Sequence, residues 1–134
     1  MPLVRIDLTQ GFTEAQIGAI GAGIHRAMIE TIGVPERDQF QVISEHAPGR
    51  FVYNRAYLGI ERSDQQVFVQ IFLSKGRTTE QKQALYDTLV KYVSRDAKVR
   101  PQDIAITLSE STREDWSFGE GVAQYVVLPK EQWK

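Results

Sequence analysis

Pro2 is the residue of this chain whose position is most favourable for acid–base or covalent chemistry. Removal of Met1 is expected before a residue as small as proline, and it would expose a secondary amine. An α-amino group titrates at about 7.7–8.0, so its surroundings can turn it into a base or a cationic acid. A secondary amine can also form an iminium with an aldehyde. The alternative, in which Met-Pro is simply a common start of a chain, implies no chemistry.

The rest of the composition excludes several other classes of site. The 134 residues contain no cysteine, which removes thiolate and disulfide chemistry. The two histidines, His25 and His46, lack a usual metal-ligand spacing, so we expect no metal site. A net charge of -1 and a pI near 6.1 disfavour nucleic acid as a partner. With no apolar run of about 20 residues and no secretory signal pattern, the expected location is cytoplasmic, without a membrane partner.

The elements that must position such a site repeat along the chain. Matching residues recur at a constant offset of 65 positions, which indicates a duplicated unit over about 2–46 and 67–110 within a single domain, 1–134. The matched pairs include Gly11 with Gly76, Thr13 with Thr78, Gln16 with Gln81, Ala19 with Ala84, Asp38 with Asp103, and Ser44 with Ser109.

Each unit has the pattern of a strand, a helix and a second strand. Residues 3–8 alternate between apolar and polar, and Thr13 with Gln16 has the spacing of a capping box at a helix start. Gly33 suits a left-handed helix end. Two strands joined by such a helix must be parallel with a right-handed crossover. We therefore predict an α/β fold: a four-stranded sheet with both helices on one face.

Three further features follow from this fold. The second face of the sheet is left uncovered, which suggests an oligomer. Residues 47–66 predict a connecting hairpin or an extended excursion, and residues 122–128 predict a C-terminal strand that could pair with another subunit. Gly18, Gly21 and Gly23 each cost about 1 kcal/mol in a helix relative to alanine, which predicts close packing there.

Several motifs together resemble one known family. They are Pro2–Leu8, Gly33–Asp38, the Gly76-Arg77 pair before a helix, and Asp115–Gly119 with the sequence Asp-Trp-Ser-Phe-Gly. These segments resemble the malonate semialdehyde decarboxylase family of the tautomerase superfamily, and the resemblance extends to about Val126. It implies the tandem β-α-β fold of tautomerases and MIF-like proteins, assembled as a homotrimer that covers the free sheet face.

The resemblance also implies roles for particular residues. Pro2, Asp38 and Arg77 match the catalytic proline, the catalytic aspartate and an arginine that binds the substrate carboxylate. Arg77, Lys75, Trp116 and Phe118 match the substrate-binding positions. Lys75 stands where some members carry a second arginine, and a lysine is a point charge rather than a planar fork. Without the resemblance, Asp38 could serve turn geometry as its counterpart Asp103 is expected to do, Arg77 could be a solvated charge, and the aromatics could be core residues.

The function implied is decarboxylation of malonate semialdehyde or a similar 3-oxo acid without a cofactor. Two alternatives use the same residues: keto–enol tautomerisation of a 2-keto acid such as phenylenolpyruvate, and a hydratase or dehalogenase acting on unsaturated acids. A binding or signalling module is the non-enzymatic alternative, because one fold can host unrelated functions. The distinguishing observation is whether Pro2, Asp38 and Arg77 converge on one cavity.

Overall fold

The structure is a computed structural model that describes residues 2–134, so the expected removal of Met1 lies outside the described residues. The elements in chain order are β1 (Leu3–Thr9), α1 (Glu14–Ile32), β2 (Gln41–His46), β3 (Val67–Ser74), α2 (Thr79–Ala97), β4 (Ile104–Ser111) and α3 (Gln124–Val127). Within residues 2–134, no helix combines the length and the apolar character needed to cross a membrane.

The four strands form one mixed sheet in the order β2-β1-β3-β4. The strands of each unit are parallel, β1 with β2 and β3 with β4, and the two units meet through the antiparallel pair β1 and β3. The predicted fold class, a four-stranded sheet built from two β-α-β units, is confirmed. The antiparallel junction between the units has the consequence that strands from both units end at shared edges of the sheet.

The two long helices cover one face of this sheet. Capping boxes start both helices as predicted, with the Thr13 and Thr78 hydroxyls each accepting a backbone N–H at 3.1 Å. The apolar faces of β1 and β3 are buried against the helices, and Ile104, Ile106 and Leu108 of β4 pack against the same core. The fully buried side chains of this core include Val4, Ile6, Leu8, Ile20, Ile24, Met28, Val67, Val69, Ile71, Leu73, Leu85, Leu89 and Val93.

At two of the three α1 glycines, close packing accounts for a residue that lowers helix stability relative to alanine. A Cβ on Gly23 would lie 3.3 Å from both Tyr92 and Val93 of α2, so the glycine allows the two helices to approach closely. A Cβ on Gly21 would lie 2.5 Å from the Gln41 side chain, whose amide donates to the Gly21 carbonyl at 2.8 Å. Nothing lies within 4 Å of a Cβ on Gly18, so the packing argument does not extend to it.

The predicted C-terminal strand is wrong, and of the two forms predicted for residues 47–66 the hairpin is wrong. In place of a strand over 122–128, the chain forms the short helix α3, because Val126, Val127 and Leu128 donate back to carbonyls three or four residues earlier. In place of a hairpin over 47–66, the chain makes an irregular excursion with one 3-10 turn, Tyr57–Gly59. Arg62 holds this excursion by donating to three backbone carbonyls within it.

The second face of the sheet is partly exposed along β1 and β3. Phe68 is 37% exposed there, and Asp7 and His46 form a 2.6 Å contact between their side chains. Apolar and charged groups therefore alternate on a surface that no element of residues 2–134 covers with a layer of helix. Such a surface is suited to contact with another subunit.

Candidate active site

The sheet topology brings four chain segments to one edge. Because β1 and β2 are parallel with Val4 opposite Gln41, the residues that precede both strands lie together. The antiparallel partner β3 ends at the same edge, and Ser74 at its end lies opposite Ser111 at the end of β4. Pro2, Asp38, the loop that begins at Lys75, and the chain after β4 therefore share one edge of the sheet.

A polar cavity of about 400 Å³ lies at this edge. It brings together three of the predicted site residues, Asp38, Lys75 and Arg77, which come from both units of the repeat. Its remaining lining is formed by Gly33, Val34, Pro35, Ser74, Gly76, Gln81, Arg113, Tyr125, Lys130 and Trp133. Three cationic side chains besides Arg77 face a single carboxylate, so the cavity is suited to an anionic ligand.

Arg77 is held in a fixed orientation by backbone carbonyls. Its guanidinium donates to the Ser74 carbonyl at 3.1 Å and to the Ile32 carbonyl at 3.3 Å. Ile32 is the last residue of α1, a helix with no basic residue in its last turn, so Arg77 supplies the positive charge that a helix C-terminus favours. A guanidinium has five N–H donors, and those not bound to carbonyls remain for an anion in the cavity.

Asp38 is half-buried, and its carboxyl group has a shifted pKa. Its backbone N–H closes a turn onto the Pro35 carbonyl at 3.0 Å. Burial raises the pKa of the Asp38 carboxyl, and the positive charges of His25 and Arg77 oppose that rise. Net elevation of a carboxyl pKa beside a fixed arginine is typical of functional sites.

The counterpart aspartate in the second unit has a different surrounding. Asp103 is 1% exposed, and its carboxylate accepts from the Ser63 N–H at 2.7 Å and the Ser63 hydroxyl at 2.6 Å. It therefore ties the excursion over 47–66 to the start of β4. The repeat has kept the aspartate in both units, but only Asp38 lines a cavity with Arg77.

His25 fixes the loop that carries Asp38. The ring is 8% exposed on α1, and its Nε2 lies 2.7 Å from the Glu36 carbonyl, two residues before Asp38. A carbonyl accepts only, so Nε2 carries the proton. The ring of His25 is therefore packed rather than freely accessible.

An apolar cavity of about 280 Å³ adjoins the polar one and shares Asp38 with it. Phe118 lines it directly, and Phe40, Tyr125 and Leu128 add to its wall. Trp116 does not line either of these two cavities. It stacks on Phe118 with ring centroids 5.7 Å apart and donates its indole N–H to the Ser111 hydroxyl at 2.8 Å, so it supports the wall from behind.

Pro2 is buried directly before β1, at the edge that holds Asp38. The N–H of Val4 donates to the Phe40 carbonyl at 2.9 Å, which places the start of β1 beside the segment from Asp38 to Phe40. The side chain of Pro2 lines neither of the two cavities. The structure thus brings Asp38, Lys75 and Arg77 into one cavity and places Pro2 at the same edge of the sheet, outside the lining of that cavity.

The sequence analysis missed four lining residues, Arg113, Tyr125, Lys130 and Trp133. Tyr125 and Trp133 line both cavities, with their ring centroids 4.5 Å apart. Burial, reinforced by the negative charge of Asp38 and opposed by Arg77, raises the pKa of Tyr125 to about 12, so the phenol stays a hydrogen-bond donor. The aromatic residues Tyr125 and Trp133 within a polar C-terminal segment were the sequence feature that could have indicated this wall. The strand wrongly predicted over 122–128 assigned that segment to subunit pairing instead.

Sequence comparisons agree with this architecture. A family model described as tautomerase enzyme matches residues 38–119, and a second model with the same description matches residues 2–59. The probable tautomerase YusQ of Bacillus subtilis (strain 168) is 41% identical over 126 residues, which cover 94% of this chain and 99% of the relative.

Solved structures extend the comparison to three dimensions. A malonate semialdehyde decarboxylase, studied for its decarboxylase and hydratase activities, aligns with a TM-score of 0.87 at 36% identity, covering 92% of this chain and 95% of the other. A second one, inhibited by 3-bromopropiolate, aligns with the same TM-score at 37% identity, covering 92% and 94%. A fused 4-OT that forms a symmetric trimer aligns at 0.76 and 25% identity, covering 93% and 98%. Together with the family models, these likenesses show that the chain belongs to the tautomerase superfamily, with malonate semialdehyde decarboxylases among its structural relatives.

Proposed function

We propose that this protein decarboxylates malonate semialdehyde or a similar small 3-oxo acid, using the amine of Pro2 and no cofactor. The observation that carries the proposal is the shared cavity of Asp38, Lys75 and Arg77 at the sheet edge where Pro2 precedes β1. The structural likeness to two malonate semialdehyde decarboxylases supports the choice of reaction.

In the proposed reaction, Arg77 and Lys75 hold the substrate carboxylate and Pro2 acts on the carbonyl. Ionised Asp38 raises the pKa of the amine nearby and keeps it cationic. The cation donates to the aldehyde oxygen, or the amine condenses with the aldehyde to an iminium and releases water. The bond between the carboxyl carbon and the α-carbon then breaks, its electrons enter an enol or enamine, and carbon dioxide leaves. Proton uptake at the α-carbon, followed by hydrolysis of any iminium, gives the aldehyde.

Tautomerisation is the second candidate, favoured by the 41% identical relative that is called a probable tautomerase. With Pro2 neutral, the same amine would move a proton between the oxygen and the carbon of an enol. The two reactions differ in the charge of Pro2, which its surroundings set. The raised pKa of Asp38 bears on this choice, because a protonated carboxyl gives the amine no charge support.

The test combines an intact mass with two assays on the same sample. We expect a mass that lacks one methionine, and carbon dioxide release from malonate semialdehyde that Pro2→Ala lowers by about 100-fold or more, the scale of general acid–base catalysis. Ketonisation of phenylenolpyruvate, without carbon dioxide release, would replace the decarboxylase by the tautomerase. Turnover that is equal in Pro2→Ala would contradict both.

The proposal includes a homotrimer, with a cytoplasmic location. Its support is the uncovered sheet face and the trimeric state named for the fused 4-OT relative. Sedimentation equilibrium at the mass of one chain would contradict the trimer.

A further inference from the structure

Arg113 is a cation at the site with no anion assigned to it. It begins the turn Arg113–Asp115 directly after β4 and lines the polar cavity. Its guanidinium carbon lies 5.0 Å from the ring centroid of Trp133, which orients the plane of the side chain. Glu114 and Asp115 follow it in the turn, but among residues 2–134 no carboxylate lies within ion-pair distance of Arg113. The Asp115 carboxylate accepts instead from Thr112.

The charges around the cavity exceed what one carboxylate group requires. Lys75, Arg77, Arg113 and Lys130 line it, while Asp38 is the only acidic residue in the lining. Like charges gathered around a cleft focus the electrostatic field and favour the entry of anions. A substrate with one carboxylate engages Arg77 and Lys75. It leaves the other two cations of the lining, Arg113 and Lys130, without a counterion.

Arg113 and Lys75 also border a further cavity. It has a volume of about 560 Å³ and shares Ser74, Lys75, Arg113 and Tyr125 with the polar cavity. Arg113 therefore stands where the two cavities meet. A ligand that extends from the polar cavity into this further cavity would pass the residues that border both, Arg113 among them.

We propose that Arg113, with Lys130, forms a second anion subsite and that the natural substrate is an oxo acid with two carboxylates. The inference rests on the proposed function for the reaction, but the subsite itself needs only the cavity. Lys130 provides a charge without a fork, and the planar guanidinium of Arg113 supplies the bidentate recognition that a lysine lacks. The subsite thus selects dicarboxylates over monocarboxylates of equal length.

The test measures binding of succinate and butyrate, which have equal chain length but differ by one carboxylate, to the purified protein by calorimetry. We expect succinate to bind at least about 10-fold more tightly, one charge-assisted contact being equivalent to about that factor. Arg113→Gln should abolish this preference, leave butyrate affinity unchanged and retain the melting temperature. Arg95→Gln is the matched control, because Arg95 is exposed on α2 and pairs with Asp96, and it should alter neither affinity.

Equal binding of the two acids by the unmodified protein, or an equal effect of Arg113→Gln on both, would overturn the subsite. Turnover separates this outcome from failure of the proposed function. A succinate preference lost in Arg113→Gln, in a protein that converts no oxo acid, would support the subsite and contradict the enzyme. Turnover of malonate semialdehyde without any succinate preference would support the proposed enzyme and contradict the subsite.

Discussion

Replacing Arg77 by alanine is expected to lower kcat/KM by about 100-fold, corresponding to roughly 2.7 kcal/mol of lost transition-state stabilisation. The reason is that the guanidinium is fixed by the Ser74 and Ile32 carbonyls with donors left for a carboxylate. We expect much of the loss in KM, because the arginine binds the acid before and during the reaction. Steady-state kinetics on the preferred oxo acid provides the measurement.

Two further variants separate binding from support of the fold. Arg77→Lys keeps the charge but loses the planar fork, so we expect an intermediate kcat/KM. Arg95→Ala removes an exposed arginine of α2 and should leave the kinetics unchanged. Arg77→Ala with unchanged kinetics, in a protein whose melting temperature has fallen, would show that Arg77 only caps α1.

Replacing Asp38 by asparagine is expected to have two opposite effects. Activity should fall by about 100-fold to 1000-fold, since the variant removes a charge that supports the Pro2 amine. Stability at pH 7 should rise, because burial raises the pKa of Asp38 and so disfavours its ionised form in the fold. Kinetics and thermal melts on the same preparations measure both.

The pH dependence of that stability difference follows from the sign of the shift. The folded pKa of Asp38 lies above its unfolded value, so ionisation costs stability above the folded pKa and costs nothing below the unfolded one. The advantage of Asp38→Asn should therefore shrink as the pH falls through this interval towards about 3.9, the ordinary value for aspartate. An advantage that grows on acidification would contradict the assigned direction.

The internal repeat supplies the control for this variant. Asp103 occupies the matching position but accepts two hydrogen bonds from Ser63, and its carboxylate lines no cavity with Arg77. Asp103→Asn should lower the melting temperature and leave kcat/KM of the folded protein unchanged. If both aspartate variants lost activity equally, Asp38 would have no special role.

Much of the fold could be predicted from the sequence because its signals are local. Strand alternation, two capping boxes and a left-handed Gly33 depend on neighbours within a few residues, and the structure contains each of them. The secondary structure of the C-terminal segment could not be predicted from such local signals. Its apolar run of Val122, Val126, Val127 and Leu128 suits a strand by composition, yet a short helix places Tyr125 on the site.

The site was predictable only in part for a related reason. Asp38, Lys75 and Arg77 lie at the ends of repeated elements, so topology alone brings them to one edge. Trp133 reaches the same cavity through the path of an irregular tail, which leaves no periodic signal in the sequence. Trp116 is the intermediate case, since it supports Phe118 rather than lining the cavity.

The most direct test of the central claim compares one protein with the Pro2 nitrogen blocked and then freed. A removable N-terminal extension makes that nitrogen an amide, and a protease that cleaves directly before Pro2 restores the amine. We predict that the extended protein has the melting temperature of the mature one but less than about 1% of its turnover of malonate semialdehyde or phenylenolpyruvate, and that cleavage, confirmed by intact mass, restores the rate. Equal turnover before and after cleavage would contradict a catalytic role for the Pro2 amine.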